Sequence, residues 1–178
     1  MNLITKRVHM NRCNGREVKQ LTLDRDFNVP DARPDALQIM KEQGEVQIEE
    51  VHMMEGKASV KGLLHFQILY ASDGDIPVSE MTGTIPFEET IPLPQAKAED
   101  EISVQAEIGD LKSELINSRK LGMKAIVVLN VTAGSVCDGE GAIDIEGGED
   151  IYTKKRTAEV SYLVFSKKDT LRVRDEWK

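Results

Sequence analysis

The three histidines, His9, His52 and His65, are the side chains of this 178-residue chain best suited to acid–base or metal chemistry. None lies beside a Ser or Cys in a recognisable nucleophile motif, and the sequence has no H-x-x-H or H-E-x-x-H spacing. His65 falls in the middle of a predicted strand, where a packed or rim position is more common than a ligand position. The histidines predict no catalytic centre, so we expect a protein that is not an enzyme.

The acidic residues and cysteines have no spacing that favours a metal site. The acids between Gly139 and Asp150 lack the alternating oxygen ligands around a central glycine that an EF-hand loop requires. Cys13 and Cys137 lie far apart, outside any C-x-x-C, and are expected to be reduced thiols. No glycine-rich phosphate loop follows a predicted strand. We therefore expect no metal ligand, no cofactor-binding residue and no cofactor.

Arg119 is the most notable polar residue, because it lies in a tight connection between two predicted core strands. An ion pair to a carboxylate that fixes this turn is favoured over a role in an active site. Aromatic residues make up only 4% of the chain, and a carbohydrate-binding platform usually needs exposed rings. The candidates Tyr70, Tyr152, Tyr162 and Trp177 are scattered, and Tyr70 is expected in the core.

The composition limits the partners and the compartment. The net charge is -8 with acids and bases interspersed, so nucleic acid and anionic membranes are disfavoured as partners. No apolar run approaches the roughly 20 residues that span a bilayer, so no membrane insertion is expected. Residues 1–7 lack the apolar stretch of a secretion signal, which predicts a cytosolic protein.

Residues 101–133 supply the elements around which the other strands are organised. Alternation of Ile102, Val104, Ala106 and Ile108 with polar neighbours predicts a half-buried strand, interrupted at Gly109. Residues 121–131 are apolar on both faces and rich in β-branched side chains, as in the middle of a core. The intervening segment 117–120 is a predicted turn.

The rest of the chain continues this all-β pattern, which predicts a mainly antiparallel β-sandwich. Asn14-Gly15 predicts a hairpin, and Pro34 is placed to begin one short helix over 34–40 that ends before Gly44. Further turns are expected at Glu55-Gly56 and at 72–75. Further strands are predicted over 3–13, 18–27, 45–54, 57–70, 76–87 and 151–165.

The domain organisation is predicted from a change of composition after Ala133. Residues 1–150 form one β domain, in which the glycine-rich and acidic segment 134–150 is a loop or linker. Residues 154–160 can be laid over residues 4–10 with apolar positions matching, which predicts that 151–178 contains the first strands of a second repeat.

Four segments in order resemble the SPOCS domain of SipL-like spore coat assembly proteins of clostridia, over about residues 20–135 of this chain. The segments are 33–40 with its Pro-Asp and short apolar turn, 60–70 with V-x-G and a closing Leu-Tyr, 85–94 with Ile-Pro-Phe and Leu-Pro, and 115–131 with Arg-Lys-Leu and the strand after it.

This resemblance implies a structural, protein-binding role in the coat of the endospore. SipL-like proteins carry several SPOCS units, usually followed by a LysM domain, and work in the mother cell at the forespore surface. Their partners include other coat morphogenetic proteins and the ATPase that builds the basal layer, a contact attributed largely to LysM. We find no LysM segment in these 178 residues.

The leading hypothesis is therefore a non-catalytic interaction module that could also self-associate through its edge strands. The alternative hypothesis is a carbohydrate- or cell-wall-binding β-domain. The structural or interaction candidates are Pro34, Asp35, Tyr70, Phe87 and Arg119.

Overall fold

The computed structural model describes residues 2–73 and 75–147, together with residues 154, 156, 157 and 159. The chain divides into two compact units. The larger unit comprises residues 13–135, and the smaller combines residues 1–12 with 136–178. The predicted second repeat over 151–178 lies almost entirely outside the described residues.

The described residues form two three-stranded sheets and contain no helix, which confirms the all-β prediction. No helix of the described residues is long and apolar enough to cross a membrane. The sheet orders are β1-β6-β5 and β2-β3-β4. The strands are β1 (Asn2–Asn28), β2 (Asp35–Met54), β3 (Lys57–Asp73), β4 (Val78–Pro92), β5 (Glu101–Asn117) and β6 (Lys120–Glu146).

The core of the larger unit lies between the central strands of the two sheets. Along β3 every second residue from Ala58 to Ser72 is buried, so one face of this strand points inward throughout. β6 contributes alternate buried residues from Leu121 to Ala133, which confirms the predicted central strand over 121–131. Both rows contain the β-branched and aliphatic side chains that pack well on a pleated surface.

Two glycine–phenylalanine pairs fill the inner face of the β2-β3-β4 sheet. Gly62 on β3 is opposite Phe87 on β4, and Phe66 on β3 is opposite Gly83 on β4. A Cβ built on Gly83 would lie 2.4 Å from Cζ of Phe66, and one on Gly62 would lie 2.5 Å from Cζ of Phe87. Each aromatic ring therefore covers the glycine across from it, and these two glycines are required by packing rather than by backbone conformation.

The helix predicted over 34–40 is wrong, because Asp35–Met54 is a single strand. Its register with β3 shifts at Leu37 and again at Met40, so each of these residues is an extra, bulged one. The two bulges interrupt the alternation of the strand, so that apolar residues follow one another at spacings of one and three residues. These spacings are also typical of a helical turn, which is why the sequence predicted a helix. Gly44 consequently lies inside β2 rather than at a helix end.

The hairpin predicted at Asn14-Gly15 is also wrong, because β1 runs without a break from Asn2 to Asn28. The Asn14 amide donates to both carboxylate oxygens of Asp100 at 3.0 Å and to Ser135 Oγ at 3.1 Å. A Cβ on Gly15 would meet a side-chain carbon of Leu93 at 3.0 Å. Asn14 and Gly15 therefore make contacts with residues distant in the sequence, and these contacts outweigh the local preference of Asn-Gly for a turn.

Other predicted connections agree with the structure to different degrees. The turns at Gly56, with φ 71°, and between Asn117 and Lys120 are confirmed. Gly109 does not interrupt β5, but it is the bulged residue at a register shift in that strand. Residues 134–146, predicted as loop or linker, continue β6 as strand, because β1 is its hydrogen-bonded neighbour in the sheet.

The smaller unit includes a two-stranded ribbon made of residues 2–12 of β1 and 136–146 of β6. Asp138 pairs with His9 and, at 3.7 Å, with Arg7. The methyl end of Met10 lies over Gly139. Cys13 in the larger unit is exposed, Cys137 in the smaller unit is half-buried, and both thiols are free.

Replacing Gly83 with alanine should destabilise the larger unit by about 1–3 kcal/mol, because the new methyl group overlaps the buried Phe66 ring. Gly141→Ala is the matched control, since a Cβ there meets nothing within 4 Å. Chemical denaturation of both variants measures the difference. Adding Phe66→Leu to Gly83→Ala should cost less than the two single changes summed, and strict additivity would contradict the ring-over-glycine packing.

The stability of the protein should fall at acidic pH through Asp100. Hydrogen bonds from the Lys97 backbone N–H and then from the Asn14 side chain hold the pKa of Asp100 below its ordinary value of 3.8. A carboxyl with a depressed folded-state pKa contributes stability above its unfolded pKa and loses that contribution as pH falls through the folded pKa. The free-energy difference between wild type and Asp100→Asn should therefore shrink below about pH 4, as measured by denaturation at a series of pH values. A difference that is constant from pH 7 to pH 2 would contradict this.

Candidate interaction surface

The outward face of β3, with its neighbours on β2 and β4, forms a regular surface of the larger unit. Strand alternation directs Lys61, Leu63, His65, Gln67 and Leu69 outward, and all five are half-buried. Because β3 is the middle strand, each of these side chains has a cross-strand neighbour on both sides. We call this surface the β3 platform.

One end of the β3 platform carries a row of charges across all three strands. Lys61 Nζ lies 3.3 Å from Glu50 on β2 and 3.7 Å from Glu88 on β4. His52 Nε2 lies 2.7 Å from the same Glu50. The hydrogen bond with His52 is the largest cause of the lowered pKa of Glu50, and the hydrogen bond with Lys61 is the next largest. The hydrogen bond with Glu50 in turn raises the pKa of Lys61. These exposed pairs favour the charged forms and add little stability.

The middle of the β3 platform is a shallow, open groove of ≈ 600 Å³. Its polar side chains are short hydroxyls, amides, one carboxylate and one imidazole, contributed by Gln43, Glu45, His65, Gln67, Thr82 and Thr84. The Gln43 and Gln67 amides are hydrogen-bonded to each other, and Gln67 donates to Glu80 at 2.9 Å. His65 Nε2 is closed off from solvent and has no hydrogen-bond partner among the described residues.

The polar groups of this groove are suited to recognising a ligand through hydrogen bonds. Hydroxyl and amide groups donate and accept hydrogen bonds, which suits a polypeptide backbone or hydroxyl groups of a ligand. Within the part of the chain that the structure describes, no group of three or more His, Cys, Asp or Glu side chains could hold a metal ion.

Arg119 forms the densest polar contact in the larger unit. Its Nη2 donates to the carbonyl oxygens of Val29 and Pro30 at 3.0 Å each, and its Nη1 donates to the carbonyl of Arg33 at 2.8 Å. Nη1 also lies 3.1 Å from Asp35. The side chain, which is 35% exposed, thus fixes the connection between β1 and β2 to the turn between β5 and β6. We call this contact the Arg119 clamp.

The backbone around the turn reinforces the Arg119 clamp. Val29 N–H donates to the Arg119 carbonyl, and Ala36 N–H donates to the Ser118 carbonyl, both at 2.8 Å. Ser118 Oγ donates to Asp35 Oδ2 at 2.9 Å. The favoured role for Arg119, an ion pair that fixes the turn, is the arrangement found, although backbone carbonyls outnumber carboxylates among its acceptors.

The structure brings four of the five predicted candidates together and separates the fifth. Tyr70 is fully buried, and its hydroxyl donates to the Pro34 carbonyl at 3.4 Å, next to the Arg119 clamp. Phe87 lies over Gly62 and belongs to a different cluster of buried residues from Tyr70. Of the platform residues, only His65 was considered from the sequence, as a packed or rim residue. The strict alternation of β3 was the signal that could have identified the whole outward row as a surface.

Arg119→Ala should lower the free energy of unfolding by roughly 1–3 kcal/mol, because it removes the side-chain donor of the Val29 and Arg33 carbonyls. Arg119→Lys should recover little, since a single ammonium cannot reach acceptors spread along the connection. Arg25→Ala is the control, because Arg25 is an exposed arginine on β1. Denaturation curves measure all three variants, and equal stability of Arg119→Ala and wild type would contradict the clamp.

Comparison with known proteins relates the fold to one family. Residues 35–116 match the family model described as SipL, SPOCS domain. No curated protein and no solved structure matches the chain significantly. The matched segment extends from the start of β2 to the end of β5 and covers a little less than half of the chain. It contains Asp35, Tyr70 and Phe87 and ends just before Arg119. Residues 35–116 of this protein are therefore similar to the SPOCS domain of SipL.

Proposed function

We propose that this protein is a non-catalytic, protein-binding module in the assembly of the endospore coat. The family match over residues 35–116 is the observation that carries the proposal, because it suggests a sporulation-associated domain for protein interaction. The role in the coat, the mother-cell location at the forespore surface, and the coat proteins or basal-layer ATPase as partners are parts of the proposal.

The geometry supports binding to a protein through the β3 platform. The groove offers hydroxyl and amide groups beside half-buried Leu63 and Leu69, a mixture of polar and apolar contacts that suits a protein partner. Pairing along the free side of β4 is less favoured, because Pro86 cannot donate a backbone hydrogen bond there and Glu80, Glu88 and Glu89 add charge.

The carbohydrate-binding alternative has less support from the described residues. Phe66, Tyr70 and Phe87 are buried, and Phe27 packs edge-on against Phe66 with ring centroids 4.6 Å apart. Three of the four described aromatic rings are therefore unavailable to stack on a sugar, and the fourth, Phe27, is half-buried. Tyr152, Tyr162 and Trp177 lie outside the described residues.

The double substitution Thr82→Arg/Thr84→Arg tests the β3 platform. Both threonines are exposed on β4 beside the groove, so two long cations should obstruct it without disturbing the core. Immobilised wild-type protein is expected to retain coat proteins from an extract of sporulating cells, and the variant is expected to retain roughly tenfold less, as for the loss of a central contact. Quantitative mass spectrometry of the retained proteins gives the measurement.

The matched control is Thr22→Arg/Thr132→Arg, which adds the same charges to exposed threonines on β1 and β6. Equal loss in both variants would assign the effect to charge rather than to the groove. Folded wild-type protein that retains no coat protein, or that sediments with peptidoglycan instead, would overturn the proposed function.

A further inference from the structure

The end of the β3 platform away from its row of charges carries apolar side chains. Leu69 and Ala71 of β3 are half-buried on the outward face, and Val78 of β4, opposite Ala71, is 44% exposed. On β2, Leu37 is 59% exposed and Met40 is 60% exposed. Leu37 adjoins the β2 partner of Ala71, and Met40 adjoins the β2 partner of Leu69. We call these five neighbouring residues the apolar end of the β3 platform.

The two bulges in β2 explain why Leu37 and Met40 are exposed. Each is an extra residue in the register with β3, and each follows a residue that packs in the core, Ala36 or Ile39. The core residue before each bulge is already in place, so the extra side chain remains outside. The fold therefore gains little from an apolar side chain at either position, which favours a use in contact with another molecule.

Exposed apolar residues are concentrated at this end of the sheet. Of the nine large hydrophobic side chains that are exposed in the part of the chain that the structure describes, four lie here: Leu37, Met40, Ile76 and Val78. Ile76 is in the connection between β3 and β4, and its carbonyl oxygen accepts from the Ser72 hydroxyl, which folds the connection back onto β3. Apolar side chains that cluster in this way are typical of a surface that binds a protein.

The unpaired charges near the apolar end are mainly acidic. Asp73 and Asp75 lie in or beside the same connection, and Glu45 lines the adjoining groove. All three are exposed and have no ion pair within the described ranges, whereas Arg33 is already paired with a carboxylate of β4. Lys41 is one unpaired cation against these three acids. A second copy of this chain would bring like charges together here, whereas a partner with cations would complement them.

We propose that the apolar end of the β3 platform binds a polypeptide segment of a partner protein in which apolar side chains adjoin lysine or arginine. The apolar side chains of the segment cover Leu37, Met40 and Val78, and its cations face the unpaired acids. The unbranched side chain of Met40 can adapt its shape to the residue that covers it. This inference rests on the proposed function, because it names the chemistry of the partner that the β3 platform binds.

NMR titration of the isotope-labelled protein with three synthetic peptides tests the inference. The first peptide repeats the unit Leu-Thr-Lys, the second has glutamate in place of every lysine, and the third has serine in place of every leucine. The first peptide should shift the amide signals of residues 37–41 and 69–73. Its dissociation constant should be at least about tenfold lower than those of the other two, as for the presence of a central contact.

The double substitution Leu37→Ser/Met40→Ser should weaken binding of the first peptide at least about tenfold, because it removes two apolar contacts. Both side chains are exposed, so the amide signals of residues 121–133 in the core should be unchanged. Val18→Ser/Ile116→Ser is the matched control, since it removes two similarly exposed apolar side chains elsewhere on the larger unit. This control should bind the first peptide as the wild type does.

Equally tight binding of the glutamate or serine peptide would overturn the inference, as would equal losses in the two double variants or no shift at the apolar end. Wild-type protein that self-associates through Leu37 and Met40 would assign this surface to a second copy and would also overturn it.

The inference and the proposed function can fail separately. Coat proteins that are retained by Leu37→Ser/Met40→Ser but lost from Thr82→Arg/Thr84→Arg would overturn this inference and leave the proposed function standing. Wild-type protein that binds the first peptide at the apolar end but retains no coat protein would overturn the proposed function and leave the chemistry of this surface standing.

Discussion

The Arg119 clamp is the interaction on which the closure of this sandwich depends. The connection between β1 and β2 takes the chain from one sheet to the other, and its carbonyl groups at Val29, Pro30 and Arg33 have no strand to pair with. The guanidinium satisfies all three from the β5–β6 turn. Because its five N–H donors lie in one rigid plane, a single side chain can fix an irregular segment that would otherwise leave backbone groups unpaired.

The two sheets depend on this closure in different ways. The β2-β3-β4 sheet begins at Asp35, which accepts from both Arg119 and Ser118, so its first strand starts at a fixed place. From there the Gly62–Phe87 and Phe66–Gly83 pairs place both phenylalanine rings on the inner face and leave the outward face without aromatic residues. The β3 platform therefore lies on the face of the sheet opposite to the one that carries both phenylalanine rings.

Much of the fold could be predicted from the sequence where one strand period dominates. The alternation in β5 and the apolar run of β6 identify a half-buried strand and a central strand correctly, because burial alone decides both patterns. The predictions fail where residues that usually favour a local turn or helix instead take part in pairing with distant residues. Asn14 bonds Asp100 rather than closing a hairpin, and the bulges at Leu37 and Met40 give β2 the apolar spacing of a helix. A short window of sequence around Asn14 or around Leu37 and Met40 does not contain the distant residues with which these segments pair.

The same distinction explains what could be predicted of the candidate site. A lone arginine in a tight turn between core strands needs acceptors, so a fixing role for Arg119 follows from the sequence, whereas its carbonyl partners some 90 residues away do not. The groove on the β3 platform exists only because three strands pair in one register, with Gln43, Gln67 and Thr82 in one row. Its amide and hydroxyl groups can donate and accept hydrogen bonds across that row. A surface of this kind is suited to binding through shape and hydrogen bonding, which supports the proposal of a protein partner.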